Sequence, residues 1–386
     1  MLQNNHLKSA SLSAVSRLMP TSRPIYLDYN ATAPVKPGVA EAMTAALVLG
    51  GNPSSIHRSG REARRIVEAA RAAVADALGA RAQEVIFTSG GTEANRLAIL
   101  GLNRPRVLVS AIEHASVAAH CNAENLLPVH ANGRLDLDAL RTALAESGPE
   151  TLVSLMLANN ETGVLQPIAE AAEIVHAAGA LLHCDAVQGL GKQTVNMAEL
   201  GADLLTVSAH KVGGPAGIGA LAIRPGLALA ASAAAGGQEQ GRRPGTENFA
   251  GIAGFGAALT TLVDSLADQP RQEALRTRLE AALTQAGAMI FGTDARRLAN
   301  TTCAAMLGVP AETQVMAFDL AGFCVSAGSA CSSGKVQTSP VLTAMGVPAE
   351  LASAAIRISI GNGTSIEEVD AFADRWKHLF ASKNAA

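Results

Sequence analysis

Short apolar runs alternate with amphipathic segments along most of this chain. The runs are VIF (85–87), VLV (107–109), LVSLML (152–157), ALLHC (180–184), LLTV (204–207) and GALAI (219–223). Each is short, almost free of charge and rich in branched residues, as a strand buried on both faces should be. Between them lie REARRIVEAARAAVADALG (61–79), LDALRTALAES (137–147) and IAEAAEIVHAAG (168–179). In the first of these, Ile66, Val67, Ala70, Val74 and Leu78 recur at helical spacing. Buried strands alternating with helices predict an α/β fold, a mostly parallel sheet sandwiched by helices. In such sheets the chemistry gathers beyond the carboxyl ends of the strands.

From about residue 265 the pattern changes. RQEALRTRLEAALTQAG (271–287) and IEEVDAFADRWKHLF (366–380) read as amphipathic helices, and AAIRISIG (354–361) alternates as a strand. The organisation expected is therefore a tail at 1–23, a large domain at 24–264 and a smaller α+β domain at 265–386. The tail carries Lys8, Arg17 and Arg23 with several serines and no acidic residue. That composition is transit-peptide-like, but a disordered tail or an upstream start codon is the reading preferred.

Composition narrows the function. The chain has 386 residues, 48% hydrophobic and 16% charged, enough apolar material for about two cores at roughly 150 residues per domain. A formal charge of -3 gives no electrostatic case for nucleic acid or an acidic membrane surface. No charge-free apolar run reaches ~18 residues, so no membrane span is expected. The five cysteines, Cys121, Cys184, Cys303, Cys324 and Cys331, include no C-x-x-C pair, so neither a disulfide framework nor a zinc ribbon is indicated. A reducing, cytoplasm-like compartment fits that usage best.

The residues after each run carry the candidate chemistry. TSGGTEAN (88–95) opens a helix whose free N–H groups could seat a phosphate, although Thr92 could also be a plain cap. The dinucleotide and P-loop glycine fingerprints are both absent. His114 stands at a strand-to-helix turn, where a capping histidine would be ordinary. Asp185 follows an apolar strand and would be a costly buried carboxylate unless it met a cation. Lys211 follows another strand, flanked by Ser208, His210 and glycines. Together these are the parts of a pyridoxal phosphate site: a Schiff-base lysine, an aspartate for the pyridinium nitrogen, a histidine against the ring and a phosphate seat.

At this point the chain resembles the cysteine desulfurases, in the class-V aminotransferase group of fold-type-I pyridoxal phosphate enzymes. The resemblance rests on YLDYNATAP (26–34), GNPSSIH (51–57), TSGGTEAN (88–95), EHASV (113–117), NNETG (159–163), HCDAVQ (183–188), SAHKVGGPAGIG (208–219), RRPGTEN (242–248), SAGSACSSG (326–334) and IRISIG (356–361). It implies that Lys211 carries the cofactor and then takes the Cα proton, that Asp185 pairs with the pyridinium nitrogen, and that His114 stacks on the ring. It implies further that Asn160 and Gln188 bond the phenolic oxygen and that Gly91, Thr92, Ser208 and His210 bind the phosphate. Thr246 would complete the phosphate seat from the other subunit of a homodimer. Arg357, assisted by Asn30, would clamp the carboxylate of L-cysteine. Cys331 would take the sulfur as a persulfide and hand it to an acceptor protein, an iron–sulfur scaffold or a tRNA-thiolation relay. No resident metal is implied, only a transient iron–sulfur contact at Cys331.

Two departures accompany the resemblance. The aromatic and the lysine common after the Schiff-base lysine are Gly213 and Ala216, and the loop after Cys331 lacks the acidic residue of the long-loop members. The competing readings are a selenocysteine lyase or other class-V lyase or transaminase, and a non-catalytic sulfur-assembly partner.

Overall fold

The computed structural model describes residues 24–145, 148–234, 236–328 and 338–384. Cys331, expected to carry the persulfide, lies outside the described residues. Thirteen strands occur among the described residues. They are β1 (Ile25–Tyr26), β2 (Val85–Thr88), β3 (Arg106–Ser110), β4 (Leu126–Leu127), β5 (Thr151–Met156), β6 (Leu181–Asp185), β7 (Leu204–Ser208), β8 (Gly219–Ile223), β9 (Met289–Ile290), β10 (Thr301–Ala305), β11 (Phe323–Cys324), β12 (Ser326–Ala327) and β13 (Ala355–Ser359).

Seven of them form the central sheet in the order β2-β8-β7-β6-β5-β3-β4. All the neighbours are parallel except β8, which runs against both β2 and β7. Each of the six predicted apolar runs falls on one of these strands. Strands β5 to β8 are buried at every position, because helices cover both faces. One face packs against Val67, Val74 and Leu78 of helix Arg58–Leu78 and Ile168 and Val175 of helix Ile168–Ala177. The other packs against Leu97 and Ile99 of helix Gly91–Gly101. The carboxyl ends of β2, β3, β5, β6 and β7 therefore open along one edge, where β8 begins.

A four-stranded antiparallel sheet, β12-β13-β10-β9, holds the C-terminal residues. Its core joins Leu275, Leu279 and Leu283 of helix Gln269–Gln285 to Phe372 and Trp376 of helix Ile366–Asn384. The first described residues return to this core: β1 pairs with β11, and Leu27 packs in the same cluster. Trp376 stacks on Phe318 at 5.9 Å between ring centres, and both are fully buried. Trp376→Ala should remove about 3–5 kcal/mol of stability, as large-to-small changes at buried aromatic sites do. A drop in the urea midpoint without a change in slope would show it.

Candidate active site

A cavity of about 350 Å³ opens where the carboxyl edge of the large sheet meets the small sheet. It brings together Asn30, Gly91, Thr92, His114, Asn160, Asp185, Gln188, Ser208, His210, Lys211 and Arg357. These come from seven stretches of chain up to 327 residues apart, and only Asp185, Ser208 and Arg357 of them lie in buried strands.

Asp185 closes β6, with Cys184 before it packed into the core. Its Oδ1 accepts from the Val187 backbone N–H at 2.9 Å, and its Oδ2 accepts from Asn95 Nδ2 at 2.7 Å. Asn95 sits on the helix that follows the glycine pair, and its amide also donates to Ser116 Oγ at 2.9 Å. The carboxylate is thus buried and oriented by neutral donors alone, with lone pairs left for a cationic partner. A protonated ring nitrogen is such a partner.

Helix Gly91–Gly101 begins at the same cavity, and no side chain caps its first turn. Glu93 is turned the other way, accepting from the Ser89 N–H at 2.6 Å and from Arg243 Nε at 2.9 Å. The N–H groups at Gly91 and Thr92 are left as an anion seat, where the helix dipole favours negative charge. Residue 91 has to be small: a Cβ there would stand 2.9 Å from Val187 Cγ2.

His114 does cap a short helix, and it lines the cavity as well. Its Nδ1 accepts from the Ser116 N–H at 3.1 Å, which assigns the proton of the neutral ring to Nε2. On the turn after β7, Lys211 Nζ donates to the carbonyls of Asn30 at 2.6 Å and Ala31 at 2.8 Å. Burial, together with Lys211 and Lys192, pushes the neighbouring His210 imidazole down to about 4, so it is neutral at physiological pH.

The small sheet supplies Arg357, at the middle of β13. Its Nη2 pairs with Asp28 Oδ1 at 2.7 Å, and its Nη1 donates to the Asn160 carbonyl at 3.2 Å. Its Nε is buried with no hydrogen-bond partner among the described residues, a donor left for a carboxylate. Asn30 is held on every side: its amide nitrogen donates to Thr301 Oγ1 and the Asn160 carbonyl, and its amide oxygen accepts from Lys192 and Asn300.

Thr246 is the one described site candidate outside this cavity. It is exposed and lines a separate cavity of about 240 Å³ beside Ser89, Glu239 and Arg243. Glu239 of that cavity and the following Gln240 both have positive φ, 46° and 60°. The buried Arg71–Glu239 pair at 2.7 Å holds that conformation. Asn95, Asp28 and Lys192 were not among the expected residues. Each lies in or near a quoted motif, but only spatial neighbours distinguish it from a surface polar residue.

The donor set fits pyridoxal phosphate: an anion seat, a buried carboxylate without an internal cation and a lysine amine share one cavity. Fold and site together define a pyridoxal-phosphate enzyme of fold type I. The sequence profile described as Aminotransferase class-V matches residues 25–372, and the chain belongs to that family. It is 42% identical over 363 residues to a cysteine desulfurase of Cereibacter sphaeroides, covering 90% of this chain and 93% of that one. It is 40% identical over 365 residues to the cysteine desulfurase IscS of Dictyoglomus turgidum, covering 90% and 92%. Among solved structures, a NifS-like protein from Rickettsia africae superposes with a TM-score of 0.86 at 36% identity, covering 93% of this chain and all of that one. No helix among the described residues is long and apolar enough to cross a membrane.

Proposed function

We propose that this protein is a cysteine desulfurase that removes sulfur from L-cysteine, leaves alanine and carries the sulfur as a persulfide on Cys331. The observation that carries this reading is one cavity holding Asp185, Lys211 and an arginine with a free buried donor. Pyridoxal phosphate, when bound, supplies an aldehyde for the lysine and a ring that withdraws electrons from the substrate Cα. Lys211 is the attachment point and the base that takes the Cα proton. Asp185 keeps a positive charge on the ring nitrogen, and His114 covers the ring. The uncapped N–H groups at Gly91 and Thr92, with Ser208 and His210, hold the phosphate. Asn160 and Gln188 face the phenolic oxygen. Arg357 takes the substrate carboxylate through Nε and an Nη, while Asp28 and the Asn160 carbonyl fix its plane. Asn30 supports that clamp.

The sulfur then moves by displacement. The Cys331 thiolate attacks the substrate sulfur, an S–S bond forms and the Cβ–S bond breaks. The bonding pair stays on the carbon side, which takes up protons to leave as alanine. None of the four described cysteines lines the cavity, and burial raises the thiol of each, Cys184 and Cys303 most of all. A raised thiol holds less of the attacking thiolate.

Thr246, exposed and away from this cavity, suits a role in the site of a second copy, so the active form is a homodimer. The large domain ends near residue 264, with residues 25–28 crossing to the small one. The acceptor is a cytoplasmic sulfur-accepting protein. Incubating the purified protein with L-cysteine and measuring alanine and persulfide together tests the reading; colourless protein forming neither product would overturn it. Arg357→Lys keeps the charge and loses the planar fork. It should raise KM for cysteine about tenfold to a hundredfold, the value of one or two charge-assisted hydrogen bonds, with a smaller change in kcat.

A further inference from the structure

Lys192 follows β6 by one turn beyond Gln188, and its half-buried side chain lies behind the cavity wall. It donates to Gln188 Oε1 and, at 2.8 Å, to Asn30 Oδ1. As an ammonium Lys192 offers three donors and no acceptor, and both amides turn their oxygens toward it. That decides the Gln188 amide: its nitrogen faces away from Lys192 and donates to the Asn30 carbonyl at 2.9 Å. One Gln188 N–H remains for the cavity that this residue lines. The same Asn30 carbonyl receives Lys211 Nζ at 2.6 Å, so Asn30 joins the two lysines.

Lys192 does not line the main cavity. It lines a second one, of about 390 Å³, on which Lys211 also opens. Its reach into the site is therefore through Asn30 and Gln188. The charged and titratable groups around it are Lys211 and His210 on the turn after β7, Arg357 with its partner Asp28, and Tyr29, Lys36 and Asp264 in the lining of the second cavity. Burial, Lys211 and Arg357 push the Lys192 ammonium well below its usual range.

We propose that Lys192 is a positioning residue of the reaction, a donor that locks Asn30 and Gln188 in one orientation so that Gln188 offers an N–H to the phenolic oxygen of the cofactor. This rests on the pyridoxal phosphate reading above. A donated hydrogen bond favours the anionic phenolic oxygen, and so lowers the pKa of the lysine-bound chromophore.

The test is the visible absorption of the holoprotein against pH. Lys192→Met should raise the chromophore pKa by about one unit, a tenfold shift in its protonation equilibrium. In a Gln188→Leu background the same substitution should shift it far less, because Lys192 acts through that amide. An unchanged pKa in Lys192→Met overturns the proposal, and so does a full, additive shift in the double variant. Should Lys192→Met not retain cofactor, Gln188→Leu alone must show the upward shift, and its absence overturns the proposal as well. Wild-type protein without a lysine-bound chromophore would instead sink the underlying cofactor assignment.

Discussion

Lys211→Ala should leave a folded protein that no longer holds its cofactor covalently and desulfurates cysteine at least about 10³-fold more slowly. Two functions disappear with one amine, the attachment point and the base, so the loss exceeds that of a single hydrogen bond. The fold should survive because the Asn30 carbonyl that receives Lys211 Nζ keeps its second donor, the Gln188 amide. Borohydride reduction and peptide mass spectrometry would check the assignment. The wild type should carry the adduct on the peptide with Lys211, and the variant on none. An adduct at Lys192, the other lysine bonded to Asn30, would overturn the choice.

Cys331→Ala should retain the cofactor and its absorption while losing the persulfide, and alanine formation should fall at least about 10²-fold. Cys324, partly exposed in β11, is the nearest described cysteine in sequence. Burial and the Asp319 and Asp28 carboxylates raise its thiol, so it holds even less thiolate than a free cysteine. Persulfide labelling followed by peptide mapping separates the two thiols. A Cys331→Ala protein that desulfurated cysteine at the wild-type rate would end the persulfide mechanism.

The core of the large sheet was legible because β2 and β5 to β8 are buried at every position and β3 at its last three, and two-sided burial leaves an uninterrupted apolar run. β4 was not, since two residues carry no pattern, and its place comes from pairing with β3. The reversed direction of β8 was also invisible. A run such as GALAI reads the same in either sense, and its direction follows from hydrogen bonding to β2 and β7. The return of residues 25–28 to the C-terminal core rests on long-range pairing that no local periodicity records.

The site divides along the same line. Residue type and position after a strand singled out Asp185, His114 and Lys211 only as a set, because each alone has an ordinary reading and only together do they make the parts of a cofactor site. The partners came only with the tertiary structure: Asn95 beneath Asp185, Asp28 against Arg357, and Lys192 behind Gln188. By itself the sequence determined which strands form and which side chains stand at their ends, since burial and periodicity are local properties. Folding alone decided which of those side chains meet. A hydrogen bond between residues 28 and 357 depends on distances that hundreds of intervening residues set together.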